Sequence, residues 1–418
     1  MLPLDQTTFD RAERSGAWAE AAAAAFSAFE TLPMPDPKEE VWRYVDIPAD
    51  LADTRALDAP GADLPVDSRI RDVLGDLSGS ARIVDGFVTG IETGSGPALR
   101  VQRPDEVPAA AASVPADLDR FAAAAGAFGG PAVVLEVPAG TAIGQPYLVE
   151  VEATAPGAVS FPRVVIDAAG GSESHVVVHY RSADGVDAVV VPQIEVLAGA
   201  NARPAVTTIQ EWGDATVAVA QQRYVAGRDA AVSVSEFGLG GRSARLHITF
   251  DLVGQGSDAT LLGLYFGDDE QTLDYRGFVN HAAPNTTSEM FLKGAVGDRA
   301  KSVFTGLIRI EPEGQKTNAH QTNRNLVLSE GAEAHSVPNL EILANDVRCG
   351  HGSAVGPLDE EQRYYLMSRG LDRQRADRLQ VKGFFEEVLA RFPIQGLEPP
   401  LRRSLMAKYD RLVAGGSS

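Results

Sequence analysis

The residues best suited to metal chemistry in this chain are Cys349 and His351, which stand two positions apart. Cys349 is the only cysteine, and a glycine follows each of the two residues, at positions 350 and 352. If the run 340–347 that leads into them is a strand, side chains two apart share one face and lie roughly 6.6 Å from each other. Since thiolate and imidazole both bind iron, the spacing favours an iron or sulfur ligand site.

A structural interpretation of the same pair is also open. A lone cysteine is commonly a small buried hydrophobic residue, and a lone histidine is commonly a hydrogen-bonded core residue or a solvated one. The glycines at 350 and 352 add no side chain and permit the close approach of another backbone. The spacing alone is therefore compatible with ligands and with core residues.

Composition narrows the classes of protein to which the chain can belong. A chain of 418 residues is long enough for two or three structural units with a large core. One cysteine excludes an internal disulfide and an all-thiolate metal site within one copy, which is typical of the reducing cytoplasm. A formal charge of −20 repels nucleic acid and anionic lipid, so neither is expected as a partner. Because the sequence shows neither an export signal nor roughly 20 successive apolar residues, we expect a soluble, cytoplasmic protein.

Residues 1–130 predict a helical and mixed region. The alanine-rich segment 9–32 predicts one helix that ends before a cluster of prolines. A short ordered segment is expected around Trp42. Beyond it, Pro, Gly, Asp and Ala dominate, and the apolar runs 81–84 and 98–101 predict brief strands among loops.

Residues 131–357 predict a β core. Strand signals begin at 132–137 and 147–151 and repeat through most of this region. Turns of a common form, such as 227–230 and 297–300, recur at roughly 12 to 17 residues or twice that. Because such a turn-strand unit is too small to bury its own apolar face, the units must stack. We predict a right-handed parallel β-helix, a stacked β solenoid; a β-sandwich is the alternative, since its strands also recur at short intervals.

Residues 358–418 predict a separate α-helical module with a period near 3.6. Asp359 and Asp372 are N-cap candidates for two helices, and Pro399 and Pro400 open a third. The second helix carries more apolar residues than one surface stripe needs. These residues are Leu379, Val381, Phe384, Phe385, Val388 and Leu389. They predict either packing on the end of the β-helix or a docking surface for another protein.

Other constellations carry weaker functional signals. The sequence has no Walker-type phosphate loop, so the chain itself is not expected to bind or hydrolyse nucleotide. His175 and His179 share a strand face, but residues four apart on a strand lie roughly 13 Å apart, too far for one metal ion. The adjacent acids 268–270 would suit a β-helix polysaccharide lyase or hydrolase, although acids in such a turn are commonly solvated. The amide-rich run 316–325 predicts internal amide ladders or a polar binding face.

A denser set of motifs resembles the SufB/SufD family of the SUF iron–sulfur cluster assembly machinery. The similarity is concentrated between residues 274 and 371, with a further motif at Trp42-Arg43-Tyr44. The motifs are Tyr275-Arg276-Gly277, Asn285 to Glu289, Lys293-Gly294-Ala295, Gly306-Leu307-Ile308, Lys316 to Asn325, Pro338 to Ile342 and Cys349 to Gly352. The single cysteine, the short chain and Gly352, where SufB-like chains carry a glutamate, resemble the SufD branch.

The resemblance implies partners and a site. It implies a β-helix core that pairs with a SufB-like paralogue, and C-terminal helices that bind a SufC-like ABC ATPase, with a homodimer expected when the chain is alone. His351 matches a histidine that acts with a partner cysteine where the nascent cluster forms, and Cys349 matches the neighbouring cysteine. Gly350 stands where many relatives have serine. Complexes of this family are also associated with reduced FAD.

The expected function is therefore a non-catalytic scaffold subunit for iron–sulfur cluster assembly, with a nascent cluster or iron bound transiently at an interface. A β-helix polysaccharide lyase or hydrolase is the enzymatic alternative. A structural solenoid that forms homo-oligomers without a metal is a third. Cleavage of polysaccharide by the purified chain would favour the enzyme.

Overall fold

A computed structural model of the chain describes residues 1–12, 14–45, 47–103, 106, 113–394 and 396–415. The α-helices are α1 (Gln6–Arg11), α2 (Gly16–Thr31), α3 (Ser68–Leu74), α4 (Arg120–Phe128), α5 (Glu360–Ser368), α6 (Arg373–Leu389) and α7 (Glu398–Gly415), and a 3-10 turn spans Glu40–Trp42.

The strands are β1 (Gly79–Val84), β2 (Phe87–Thr93), β3 (Arg100–Gln102), β4 (Ala132–Val137), β5 (Tyr147–Ala153), β6 (Val159–Ser160), β7 (Arg163–Ala168), β8 (Glu173–Ser182), β9 (Val189–Val190), β10 (Gln193–Ala198), β11 (Arg203–Glu211), β12 (Val217–Ala226), β13 (Ala231–Gly238), β14 (Ser243–Leu252), β15 (Asp258–Gly267), β16 (Thr272–His281), β17 (Thr287–Val296), β18 (Lys301–Ile310), β19 (Asn318–Val327), β20 (Glu333–Ile342) and β21 (Arg348–Gly356). From β10 onward the strands alternate along the chain between two sheets.

The two sheets wind into a solenoid of about eight turns. One sheet has ten strands in the order β2-β1-β5-β8-β11-β13-β15-β17-β19-β21. The other follows the order β20-β18-β16-β14-β12-β10-β7-β4-β3, with β6 and β9 attached beside β12. The β1–β2 and β3–β4 pairs are antiparallel, and the later neighbours pair in parallel. The prediction of a mainly β chain with a parallel β-helix core is confirmed.

The lumen between the sheets holds the main core, because alternate side chains of every strand point inward. Register aligns these side chains into columns that run along the solenoid axis. The left-handed backbone that ends several strands falls on Asp or Asn, as at Asp229 with φ 56° and Asp298 with φ 50°. These residue types tolerate that conformation, so the recurring turns permit a regular stack.

Helices cover both outer faces of the solenoid. The apolar faces of α2 and α4 pack on outward valines of one sheet, among them Val191 and Val219. The apolar faces of α6 and α7 pack on outward residues of the ten-stranded sheet, among them Phe266 and Phe291. The apolar excess of α6 is thus largely buried against the side of the solenoid, and the expected packing on its end is wrong. An outer sheet face offers far more apolar surface than the end of one rung.

Two features of the N-terminal region differ from the sequence-based prediction, whereas the brief strands expected at 81–84 and 98–101 are present as β1 and β3. The helix predicted at 9–32 is divided into α1 and α2, because the backbone is extended at Ala12 and Ser15 and Gly16, the first residue of α2, has φ 56°. Helices α3 and α4 were not predicted, although Asp67 and Asp119 cap them as an N-cap aspartate should. Strands β1 and β3 pair with β5 and β4.

The division of the chain into 1–130, 131–357 and 358–418 stays a prediction. At the C-terminal end, the aspartate caps of α5 and α6 lie at Asp359 and Asp372, as the sequence indicated. Within the described part of the chain, no helix is both long enough and apolar enough to cross a bilayer.

Candidate functional site

Cys349 and His351 lie on β21, the last strand of the ten-stranded sheet. The strand expected over 340–347 is wrong in its bounds, because the chain turns between the end of β20 at Ile342 and the start of β21 at Arg348. The pair itself lies inside a strand. Cys349 packs against the lumen core, and alternation places His351 on the same inward face. The shared face that the spacing predicted is present.

The end of the solenoid beside this pair is open. β20 and β21 are the terminal strands of the two sheets, so each has an outer edge without a neighbouring strand in the described chain. Ile342, Leu343 and Val355 are 42%, 48% and 46% exposed there. Free strand edges flanked by exposed apolar side chains are typical of surfaces that pair with another chain. We call this surface, formed by β20, the 343–347 turn and β21, the open end.

The two candidate ligands differ in their burial. Cys349 is half-buried, and this burial raises the pKa of its thiol, which a hydrogen bond involving the backbone of Gly350 only partly offsets. A metal that binds this sulfur must therefore displace a proton. His351 is exposed at the open end.

Gln321 forms the floor beneath His351. The two residues are register partners on β19 and β21, and Gln321 is only 1% exposed. Its Nε2 donates a 2.9 Å hydrogen bond to the backbone carbonyl of Asn339 on β20, across the lumen. A Cβ at Gly306 would overlap its Oε1, so only glycine leaves room for the amide. Gln321 thereby closes the lumen and braces the two terminal strands against each other.

The other inward amides of β19 form a closed network. The Tyr265 hydroxyl donates to Asn325 Oδ1 at 2.7 Å, Asn325 Nδ2 donates to Asn323 Oδ1 at 2.6 Å, and Asn323 Nδ2 contacts the Tyr265 oxygen at 3.0 Å. Gly294 lies beside Tyr265 and Asn325, where a Cβ would overlap both side chains. Of the two interpretations of the amide-rich run 316–325, the structure therefore supports the internal amide ladder.

Gly350 leaves the outer face of β21 bare. A Cβ at Gly350 would lie 3.4 Å from His320 Nδ1, which is ordinary contact, and one at Gly352 would lie 3.8 Å from Thr322 Oγ1. A serine at position 350 therefore fits this backbone. The glycines permit close approach to the outer face and do not relieve a strained turn.

Sequence reasoning missed one buried acid in the lumen. Glu236 on β13 accepts hydrogen bonds from the Thr208 hydroxyl and from Gln222 Nε2, the latter at 2.9 Å. Burial raises the pKa of Glu236 to about 7, more than these hydrogen bonds lower it. In the sequence, Glu236 continues the alternation of Val232 and Val234, so the local strand pattern already places it on the inward face.

Two of the three acids considered for glycan cleavage are engaged in ion pairs. Asp268 contacts the Lys408 ammonium at 2.9 Å, and Glu270 pairs with Arg299. The backbone N–H of Asp269 donates to the carboxylate of Asp298 at 3.2 Å. Two free carboxyl groups poised across a sugar are what such hydrolysis requires, so this turn does not support the enzymatic alternative.

A second group of possible ligands is an ion-pair cluster. Asp67, His179 and Glu211 bring donor atoms within 4.8 Å of one another. The Arg69 guanidinium contacts both carboxylates, at 2.5 Å and 2.9 Å, so a cation already lies between them. His175, four residues from His179, contacts Thr207 instead. The two histidines therefore do not form a metal pair, as predicted.

The C-terminal module leaves a separate aromatic surface exposed. Tyr364, Tyr365 and Met367 of α5 are 76%, 57% and 43% exposed. Behind them, buried Lys293 of β17 donates to the Phe384 carbonyl at 2.8 Å and so fixes α6 to the solenoid. We call the exposed residues of α5 the α5 surface.

A comparison with protein families decides the affiliation. Residues 151–384, more than half of the chain, match the family described as SUF system FeS cluster assembly, SufBD core domain. The chain belongs to the SufB/SufD family. It is SufD-like within that family, because proteins named SufD are among its relatives. The matched region runs from β5 to α6 and so contains the open end.

Several curated relatives of the SufB/SufD family align with the chain. An iron–sulfur cluster assembly SufBD family protein of Mycobacterium leprae is 36% identical over 300 residues, which cover 70% of this chain and 74% of the relative. SufD of Escherichia coli is 28% identical over 252 residues, 60% of this chain and 59% of that protein. SufD of Bacillus subtilis is 34% identical over 165 residues, 40% and 37% of the two chains.

Proposed function

We propose that this SufD-like chain is a non-catalytic scaffold subunit that pairs with a SufB-like paralogue and holds a nascent iron–sulfur cluster at their contact. One observation carries the proposal: Cys349 and His351 share the inward face of an edge strand at an open solenoid end. Membership of the SufB/SufD family indicates iron–sulfur cluster assembly, and the geometry of β21 supports the open end as the place where the cluster is held. The cluster is the cargo of this site.

Incomplete ligation supports an interface site. An iron–sulfur cluster takes about four protein ligands, commonly thiolates, and this chain offers one thiol and one imidazole. The remaining ligands must come from a different chain. A site shared between two chains also permits release, since separating the chains removes half of the ligands. His351 is the first ligand in this proposal, because its imidazole is exposed at the open end.

Pairing through the open end is supported by its backbone and its side chains. The free edges of β20 and β21 can accept a strand from a structurally related partner, which would continue both sheets. Exposed Ile342, Leu343 and Val355 would be buried in that contact. Because a second copy of this chain offers the same edges, we expect a homodimer when the paralogue is absent.

We place the contact with a SufC-like ABC ATPase on the α5 surface. Most of the apolar face of α6 and α7 is occupied by the solenoid, so it is not free to dock a partner. Exposed tyrosines are common anchors of protein interfaces. ATP hydrolysis would then reach the open end through α5 and α6, which follow β21 directly in the chain.

The reduced FAD that the resemblance implies is assigned to the assembled complex and to no cavity of this chain. A surface cavity of about 1090 Å³ is large enough, but its lining has four carboxylates, those of Asp214, Asp269, Glu270 and Asp298, against two guanidinium groups, those of Arg242 and Arg299. Carboxylates repel the diphosphate of FAD. The residues present there do not fit the cofactor, and no step is derived from it.

Co-expression tests the proposed function. The chain is expressed with a SufB-like paralogue and a SufC-like ATPase, and the purified complex is assayed for iron and acid-labile sulfide. We expect all three chains to co-purify and His351→Ala to lower cluster loading about tenfold. Ser353→Ala, on the same inward face of β21, is the matched control and retains loading. Unchanged loading in His351→Ala, or failure of the paralogue to co-purify, would contradict the proposal.

A further inference from the structure

The lumen of the solenoid holds a small cavity away from the open end. It leaves about 30 Å³ for the centres of water molecules, and one water molecule needs roughly 10–15 Å³ of such space. Three alanines of the eleven-stranded sheet, Ala218, Ala220 and Ala244, line one side of it. Because side chains this small do not reach across the lumen, a gap is left between the two sheets. The gap has room for one or two water molecules.

A carboxyl group with unused acceptor positions lines the same cavity. Glu236 accepts one hydrogen bond from the Thr208 hydroxyl and one from Gln222 Nε2, the latter at 2.9 Å. An ionised carboxylate has about four lone-pair positions, so two remain after these hydrogen bonds. Glu236 is only 5% exposed, so bulk solvent does not occupy them. A donor inside the cavity would satisfy these positions.

Two tyrosine hydroxyls complete the polar lining. Tyr180 and Tyr275 both line the cavity, and among the described residues neither hydroxyl has a hydrogen-bond partner. A Cβ at Gly238 would overlap the Tyr275 hydroxyl oxygen, so this oxygen reaches across the lumen to β13, the strand of Glu236. Burial and, second, the charge of Glu236 raise the pKa of both phenols, so each hydroxyl remains a donor near neutral pH. Buried hydroxyls without partners destabilise a fold.

We infer that this cavity is a hydration site, in which one or two ordered water molecules bind between the carboxyl group of Glu236 and the hydroxyls of Tyr180 and Tyr275. A buried water molecule needs two to four polar partners, and this lining provides three groups. A cavity of similar origin with purely apolar walls stays dry. The water connects Tyr180 and Glu236 of the ten-stranded sheet with Tyr275 of the other sheet. The inference is independent of the proposed function.

A high-resolution crystal structure of the full chain tests the inference directly. We expect electron density for water within about 3 Å of Tyr275 Oη and of a carboxylate oxygen of Glu236. The same crystals under xenon pressure provide a second test, because dry apolar cavities bind xenon. Water in the cavity without xenon supports the hydration site. An empty cavity, or a cavity that binds xenon, overturns the inference.

Oxygen-17 magnetic relaxation dispersion tests the inference in solution, because it counts the water molecules that stay buried in a protein. Tyr180→Phe combined with Tyr275→Phe keeps both rings and removes two of the three polar partners. We expect the double variant to lose one or two buried water molecules relative to the native chain. Tyr147→Phe is the matched control, since its hydroxyl donates to the Pro97 carbonyl at 2.9 Å, and it should keep the native count. An unchanged count in the double variant, or an equal loss in Tyr147→Phe, overturns the inference.

Discussion

The ring of Tyr44 stacks on the ring of His335, with 4.4 Å between centroids and 10° between planes. His335 belongs to β20, one of the two terminal strands, so an N-terminal residue contacts the open end from the outside. Two residues earlier, Trp42 lies 3.6 Å from the guanidinium carbon of buried Arg245. The Trp42-Arg43-Tyr44 motif thus fastens the N-terminal region to the sheet that ends in β20.

This contact predicts that Tyr44→Ala loosens β20. Loss of a stacked ring costs about 1 kcal/mol, so the β20 amides that pair with β18 should exchange hydrogen about fivefold faster. Hydrogen exchange with peptide-level mass spectrometry measures this. Tyr364→Ala removes an exposed tyrosine far along the chain and serves as the control. Equal hydrogen-exchange rates of the β20 amides in Tyr44→Ala and in the native chain would show that the stacked rings do not stabilise β20.

Cys349 should react more slowly in the folded chain than its residue type implies. Because burial raises the pKa of this thiol, the folded state holds less thiolate at pH 8 than the unfolded state does. The rate of alkylation by iodoacetamide, followed against pH, gives the apparent pKa. Since this is the only cysteine, the same thiol in denaturant is the matched reference. We expect the folded value to be the higher of the two; a folded value equal to or below the reference contradicts the account.

Glu236 should make folding stability depend on pH. Its pKa is raised by burial from 4.5 to about 7 in the folded state, so its stabilising effect is complete below about pH 4.5 and is lost as the pH rises to about 7. The expected loss is roughly 3 kcal/mol. Glu236→Gln should remove this dependence, so urea unfolding at pH 5 and pH 8 should differ less in the variant. Glu20→Gln, an exposed site on α2, is the control; a variant with the native pH dependence would refute the assignment.

The α5 surface predicts a change in ATPase binding without a change in fold. Tyr364→Ala combined with Tyr365→Ala should weaken binding of the SufC-like ATPase at least about tenfold, because exposed aromatic anchors dominate such contacts. Calorimetric titration measures the affinity, and Val253→Ala, exposed on a solenoid turn, is the control. Deletion of 358–418 is also expected to abolish binding, but it exposes the outer sheet face as well. Full affinity in the double variant would place the docking surface elsewhere.

Periodicity predicted the repeating parts of this fold. Strands such as β4 and β8 and the capped helices α5 and α6 lie where alternation and N-cap aspartates indicated, because those signals are local. The division between α1 and α2 depends on the extended backbone at Ala12 and Ser15, which the alanine-rich pattern around them does not indicate. The apolar face of α6 packs on the outer face of the ten-stranded sheet, and strands that are distant in sequence form that face. The local pattern of α6 therefore could not predict its packing partner.

The candidate site was predictable in part. The relation between residues two apart on a strand is local, so the spacing alone placed Cys349 and His351 on one face. The register pairing of His351 with Gln321 spans one turn of the solenoid, and it depends on the length of β20 and of the turns before and after it. The amide-rich run 316–325 marked the region but not the register. Register, and not composition, determines that Gln321 is the neighbour of His351 on the adjacent strand.

A high-resolution structure of the co-expressed complex tests the central claim most directly. The account predicts that the open end of this chain meets the SufB-like paralogue and that a ring nitrogen of His351 lies within about 4 Å of an atom of that partner or of the cargo it shares. If His351 instead contacts only its own subunit or solvent while the paralogue binds elsewhere, the shared site at the open end does not exist.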